Sequence, residues 1–391
     1  MSGKRWSFKI TPIRIAMFAI FAVTLVMYLY RYYVGLGAVT DLNDAYPWGA
    51  WIGADMNVIA LAGAGFSMAI ISHIFHAHKY EPLARRCLLM SFIGYVLVLL
   101  ILIIEIGRWD NFWRPFVSPN LHSPMFEVYM CICAYLVLQV IELVEVVTEK
   151  VAPKIQQKMQ GIMPIVFIAA CTVPLGHQAS LGALYLAMPA KLDAIWASQM
   201  MPWLFVFSSF FIGPCVAIVE YIWTSARYKM TIDTDMLYSL SRISAVLMAI
   251  YFVAKCADIV VRGQVANVFA FNMTGNMFLL EMLLLTIVPI VIHLIPFGKT
   301  KGGLLTFGIS GRAGLVLTRL NVVFTGMAAH LGGGYFPSFL EIFTTVGGFC
   351  FAFLVYLYVT ENFPFFYGVA GEAEGKPVGE SAESGFNQAI M

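Results

Sequence analysis

The chain has 391 residues, of which 60% are apolar and only 12% charged, with a formal net charge of +2 and a mean hydropathy of +0.80. That charged share is about half of what a soluble domain carries, too little to cover a water-facing surface of this size. The composition excludes a soluble fold and predicts an all-α, polytopic transmembrane helix bundle, since helices in lipid satisfy their own backbone groups; the net charge says nothing about nucleic acid.

The N-terminus carries Lys4, Arg5, Lys9 and Arg14 ahead of an apolar run from Ile15 to Tyr30. The run is too long for the apolar region of a signal peptide and ends in an aromatic belt, so it reads as a retained signal-anchor. A helical crossing takes about 20 apolar residues. On that scale ten runs qualify, at about 13–34, 50–75, 86–106, 124–147, 160–182, 201–224, 238–260, 276–296, 303–327 and 339–360. The fifth contains Pro164, Pro174 and Gly176, and the ninth Gly308, Gly311 and Arg312. Both are kept as spans because neighbouring helices can satisfy backbone groups that Pro and Gly release.

Basic residues test this count. One set of loops and ends holds fifteen Lys and Arg, from Lys4 to Lys376, and the alternate set five, namely Arg31, Arg108, Arg114, Lys191 and Arg262. The bias predicts ten spans with both termini cytoplasmic. Loops 35–49, 107–123, 183–200, 261–275 and 328–338 then lie outside, where a partner would dock. Residues 1–367 form the membrane domain. Residues 368–391 are Gly-, Glu- and Ser-rich and read as a disordered cytoplasmic tail.

Seven cysteines are scattered singly without C-x-x-C or ferredoxin spacing, so this chain is expected to carry no iron–sulfur cluster. Bis-histidine haem ligation needs two imidazoles at matching depth. Only His177 lies inside a span toward the outside; a His73–His293 pair near the cytoplasmic surface is the other conceivable arrangement. No haem is expected.

Ionisable groups at membrane depth cost roughly 2.5–3.5 kcal/mol each on insertion scales, so each calls for a reason. Glu105 with Arg108 and Lys255 with Asp258 are three apart and can neutralise one another on a helix face. Asp55, Glu127 and His177 have no such partner, and all fall near the outside ends of spans two, four and five. A carboxylate, a second carboxylate and an imidazole at one depth suit a quinone headgroup and its protons. Glu142, Glu145 and Glu220 lie toward the cytoplasmic side, either as a proton path or as interfacial charges. The loop before span two, with Asp41, Asn43, Tyr46, Trp48 and Trp51, reads as the wall of a pocket at the membrane surface.

Several motifs in order carry a resemblance along nearly the whole chain. They are G-L-G-x-V-x-D-L-N followed by Y-P-W-G-x-W-I, I-x-x-G-R (Ile104 to Arg108), S-x-x-F-E (Ser123 to Glu127), P-x-x-H-Q-x-S-x-G (Pro174 to Gly182) and G-G-G-Y-F-P (332–337). The chain resembles the NrfD/PsrC-type quinone-interacting membrane subunits, most closely the HybB branch of hydrogenase complexes and the Hmc-type transmembrane complexes. Glu105 departs from the Asp expected there, which keeps the charge and changes the reach. The resemblance implies a cofactor-free subunit of an oxidoreductase complex rather than an enzyme alone. Its partners would be a periplasmic ferredoxin-like iron–sulfur subunit and a hydrogenase or multihaem cytochrome c subunit. Its substrate would be a quinone, typically menaquinone, with proton movement as a further expectation. It assigns His177, Glu127 and Arg108 to the reaction, and Asp41, Tyr46, Trp48, Trp51, Asp55 and Glu105 to the walls of the site. The competing reading is a secondary transporter, in which the Gly/Pro-interrupted spans five and nine are broken helices around a solute site.

Overall fold

The computed structural model describes residues 10–362 apart from residues 76, 229 and 333; the tail expected at 368–391 lies outside the described residues. Ten helices are long and apolar enough to cross a membrane: α1 (Pro12–Val34), α2 (Ala50–Ile74), α3 (His78–Glu105), α4 (Pro124–Thr148), α5 (Met163–Leu186), α6 (Met201–Arg227), α7 (Thr234–Val261), α8 (Met273–Leu294), α9 (Lys301–Leu331) and α10 (Phe339–Asn362). No strand occurs among the described residues. The chain is a multi-pass, all-helical membrane protein, as its composition requires.

Helix starts follow local chemistry. Thr11, Asp233, Asn272 and Thr300 each accept a backbone N–H two or three residues into the following helix, which satisfies a donor that a helix N-terminus otherwise leaves bare. Pro164 falls in the first turn of α5, where a missing N–H costs nothing. Pro174 sits inside α5 without interrupting it, and α9 also runs on, widening to π geometry over Asn321–Gly326. The broken helices that the transporter reading needs are therefore not formed. α3 begins eight residues earlier than its apolar run because Arg85 pairs with Glu81 and Arg86 with Glu220, which lets both arginines ride inside a helix.

Packing divides the chain into two groups of four helices. In the first, α2 lies on α3 and α4 on α5; in the second, α6 lies on α7 and α9, and α8 on α9. The groups meet where α6 packs on α2 and α5. Gly213 of α6 faces Ser67 of α2 so closely that no Cβ fits between them. α1 and α10 pair on each other and lean on α3. Arg14 near the start of α1 forms a largely buried ion pair with Glu361 at the end of α10, so these two helix ends meet at one face. This basic-loop face lies opposite the aromatic-loop face, which carries residues 35–49 and 332–338.

Candidate functional site

The cap on the aromatic-loop face is built from two of the sequence motifs. The Asn43 side-chain oxygen accepts the N–H groups of Ala45 and Tyr46, closing a turn that drives Tyr46 inward. Tyr46 donates to the Phe324 carbonyl and stacks on Tyr335 with centroids 5.4 Å apart. Burial raises the pKa of the Tyr46 phenol, so it stays a neutral donor. The Tyr335 hydroxyl accepts from the Ala50 N–H at 2.7 Å and donates to Glu341 at 2.5 Å. A Cβ on Gly49 would strike that hydroxyl, which is why the Tyr-Pro-Trp-Gly turn ends in glycine. Trp51 is fully buried and donates to Thr344 of α10.

Beneath this cap lie acids from three helices. Asp55 of α2 and Glu341 of α10 are buried, and Glu105 at the end of α3 is partly buried with Oε2 shut off from solvent. Glu105 is within electrostatic reach of both other carboxylates and of Arg31, the nearby cation from α1. Arg31 is anchored by a 2.7 Å bond to the Ile106 carbonyl.

Toward the middle of the first helix group, His177 of α5 is fully buried and neither ring nitrogen has a protein partner. Tyr95 of α3 lies edge-on to His177, centroids 5.7 Å apart, and within electrostatic reach of Asp55; its hydroxyl too lacks a partner. The register of α5 against α2 is held by Gln178, which donates to the Ile59 carbonyl, and by the Tyr185 hydroxyl on the Met56 sulfur. Trp48 packs edge-on against Tyr185. Burying a polar group without a partner costs about 1–3 kcal/mol. Asp55 Oδ1, Glu105 Oε2, Tyr95 OH and both nitrogens of His177 all stand so within one helix group. Such a set can bind a small molecule with two carbonyl or hydroxyl groups and exchange protons with it.

Several expected residues fall elsewhere. Arg108 is 77% exposed and pairs with Asp110 at 3.0 Å, not with Glu105; the chain leaves α3 at Ile106, so the three-residue spacing no longer defines a helix face. The bond from Arg108 holds the Asp110 carboxyl below its usual range. Glu127 is exposed in the first turn of α4, and Asp41 is exposed in its loop. Asp258 pairs with Arg262, four residues on, while Lys255 turns inward toward Glu281. Glu220 is held by Arg86 and by the Tyr356 hydroxyl. Sequence reading missed Glu341, Arg31, Tyr95 and Tyr335. Glu341 resembles an ordinary first-turn acid and Arg31 an interfacial anchor; only Tyr335 sits in one of the sequence motifs, the Gly-Gly-Gly-Tyr-Phe-Pro run.

A cavity of about 430 Å³ opens on the basic-loop face between α2, α3, α4 and α5, with His73, Glu81, Arg85, Glu142, Glu145 and Tyr135 among its walls. Tyr135 lies edge-on to Tyr95 with ring centroids 4.6 Å apart, so two aromatic rings stand between this cavity and His177. Apart from His177, each described histidine lies at a helix end or in a loop, and His293 Nδ1 shares a 3.0 Å hydrogen bond with the Ser241 hydroxyl. Among the described residues no group of three or more His, Cys, Asp or Glu could hold a metal ion.

Residues 38–330 match the family described as "Polysulphide reductase, NrfD". The chain is 27% identical over 334 residues to the probable Ni/Fe-hydrogenase 2 b-type cytochrome subunit of Escherichia coli, covering 83% of this chain and 85% of that protein. It is 25% identical over 240 residues to the menaquinone reductase integral membrane subunit of Nitratidesulfovibrio vulgaris, 57% of this chain and 56% of that one. A selenate reductase subunit of Mesobacillus selenatarsenatis is 21% identical over 400 residues, 88% and 92% of the two chains.

Proposed function

The chain belongs to the NrfD family of membrane subunits of reductase complexes, and on that premise we propose that it binds a quinone, menaquinone by preference, in the cluster under the aromatic cap. The quinone takes two electrons from an iron–sulfur subunit of ferredoxin type docked on the aromatic-loop face, which is the periplasmic face of the bacterial cytoplasmic membrane. Both termini are then cytoplasmic. A hydrogenase or a multihaem cytochrome c stands upstream. The observation that carries this reading is the set of partnerless buried polar atoms on Asp55, Tyr95, Glu105 and His177.

Reduction of a quinone to a quinol takes two electrons and two protons. His177 and Asp55 stand as the groups that bond the two oxygens and pass protons to them. Arg31 offsets the charge of the three acids so that one can ionise in turn. Trp48, Trp51, Tyr46 and Tyr185 shape the wall. Glu127 and Arg108 sit at the rim, where they meet the partner or the entering headgroup. The protons come from the basic-loop face through the cavity at Glu142 and Glu145 and then through Tyr135 and Tyr95, which would couple electron transfer to charge movement.

The test is purification of the whole complex in mild detergent, with companion subunits identified and extracted quinone quantified. Co-purifying iron–sulfur protein, bound menaquinone and loss of quinone reduction in Asp55→Asn and His177→Ala support the reading. A lone, quinone-free chain whose variants behave as wild type overturns it.

A further inference from the structure

The second helix group carries a charge that the quinone site does not use. Arg312 lies within α9, and a cavity of about 590 Å³ opens over it between α2, α8 and α9. The other walls are wholly apolar: Leu61, Leu280, Leu284, Ile309, Ala313, Val316, Leu317 and Leu320 are all aliphatic. Ile309 and Leu280 remain exposed along the open side. Arg312 makes no hydrogen bond or ion pair to any described residue, and the Cys215 thiol lies within electrostatic reach of it. Arg312 is half-buried, and the fully buried arginines are engaged: Arg14 on Glu361, Arg31 on a carbonyl, Arg86 on Glu220, Arg319 on Ser208 and the Phe205 carbonyl.

A guanidinium left unpaired in hydrocarbon is costly, so a residue kept there implies a partner from outside the chain. We infer that the groove between α2, α8 and α9 binds an anionic phospholipid, its phosphate on Arg312 and its acyl chains along the aliphatic wall. Three features select that occupant. The guanidinium fork matches a phosphate in shape and cancels its charge, whereas a neutral carbonyl of a quinone would leave the cation uncompensated. Arg312 follows Lys301 by eleven residues, just over three whole turns, so both lie on one face of α9, about 16 Å apart along the axis. The cavity volume falls within the range of pockets that hold extended organic ligands.

The proposal is independent of the quinone reading and is read out without electron transfer. The full chain is stripped of lipid and titrated with phosphatidylglycerol or phosphatidylcholine, binding being followed by native mass spectrometry. Wild type should bind phosphatidylglycerol about fivefold or more tightly than phosphatidylcholine, the factor that one cation near an anionic headgroup supplies. Arg312→Gln should lose that preference and Arg312→Lys should keep part of it. Should Arg312→Gln fail to fold, Ala313→Trp keeps the cation while filling the groove, and it should lose binding of both lipids. Equal affinity of wild type for the two lipids, retained preference in Arg312→Gln, or unchanged binding in Ala313→Trp each overturns the inference. So does displacement of bound phosphatidylglycerol by a menaquinone analogue, which would assign the groove to quinone.

Discussion

At the scale of single residues, position within a helix separates groups that look alike in the sequence. Asp55 and Glu127 are both lone acids near the same end of their spans, yet one is buried beside Tyr95 and the other is exposed. General acid–base groups contribute about 10²–10⁴-fold to a rate. Asp55→Asn and His177→Ala should therefore each lower quinone reduction by the assembled complex about a hundredfold or more, measured against a water-soluble menaquinone analogue. Glu127→Gln should change it by no more than about threefold, since an exposed group is replaced by water without penalty. A loss in Glu127→Gln as deep as in Asp55→Asn would return the proton role to the rim. Tyr335→Phe removes the partner of both Glu341 and the Ala50 N–H. It should cost about 1–3 kcal/mol of stability, seen as a lower unfolding midpoint in detergent.

At the scale of elements, the sequence disclosed the number and order of helices because each crossing has to be a long apolar run, and lipid allows few alternatives. It disclosed the cap as well, because Tyr-Pro-Trp-Gly and the Gly-Gly-Gly-Tyr-Phe-Pro run stand out as aromatic turns. What it hid was which helices meet. Glu105 found Arg31 from α1 rather than Arg108 from its own chain end, and Glu341 came from α10, 236 residues away. Spacing along one helix predicts faces, not the partners that tertiary packing supplies. The close approaches between helices carry their own prediction. Gly213→Ala puts a methyl where Ser67 of α2 already lies, whereas Gly37→Ala meets nothing within 4 Å. The first should destabilise by about 1–3 kcal/mol through overpacking and the second should leave the midpoint in place. Equal midpoints for the two variants would mean that α2 and α6 separate freely.

At the scale of the whole molecule, the two faces differ in kind, and the difference bears on where the quinone's protons come from. The aromatic-loop face is closed by the Tyr46–Tyr335 cap over the acids, while the basic-loop face opens into the cavity holding Glu142 and Glu145. Between them stand His177, Tyr95 and Tyr135 in edge contact, each able to give and receive a proton. If protons arrive from the basic-loop face while electrons arrive at the other, each quinone reduced moves charge across the membrane. In liposomes containing the assembled complex, Glu142→Gln should then lower charge translocation per electron while leaving quinone reduction supported by a protonophore largely intact. Glu220→Gln should behave differently. Its carboxylate pairs with Arg86 and accepts from Tyr356, so Glu220→Gln breaks a buried ion pair and should destabilise the bundle by about 3–5 kcal/mol before any transport defect is seen. Full charge translocation in both Glu142→Gln and Glu145→Gln would place the proton source on the aromatic-loop face, and the Tyr135–Tyr95 contact would then be packing between α3 and α4.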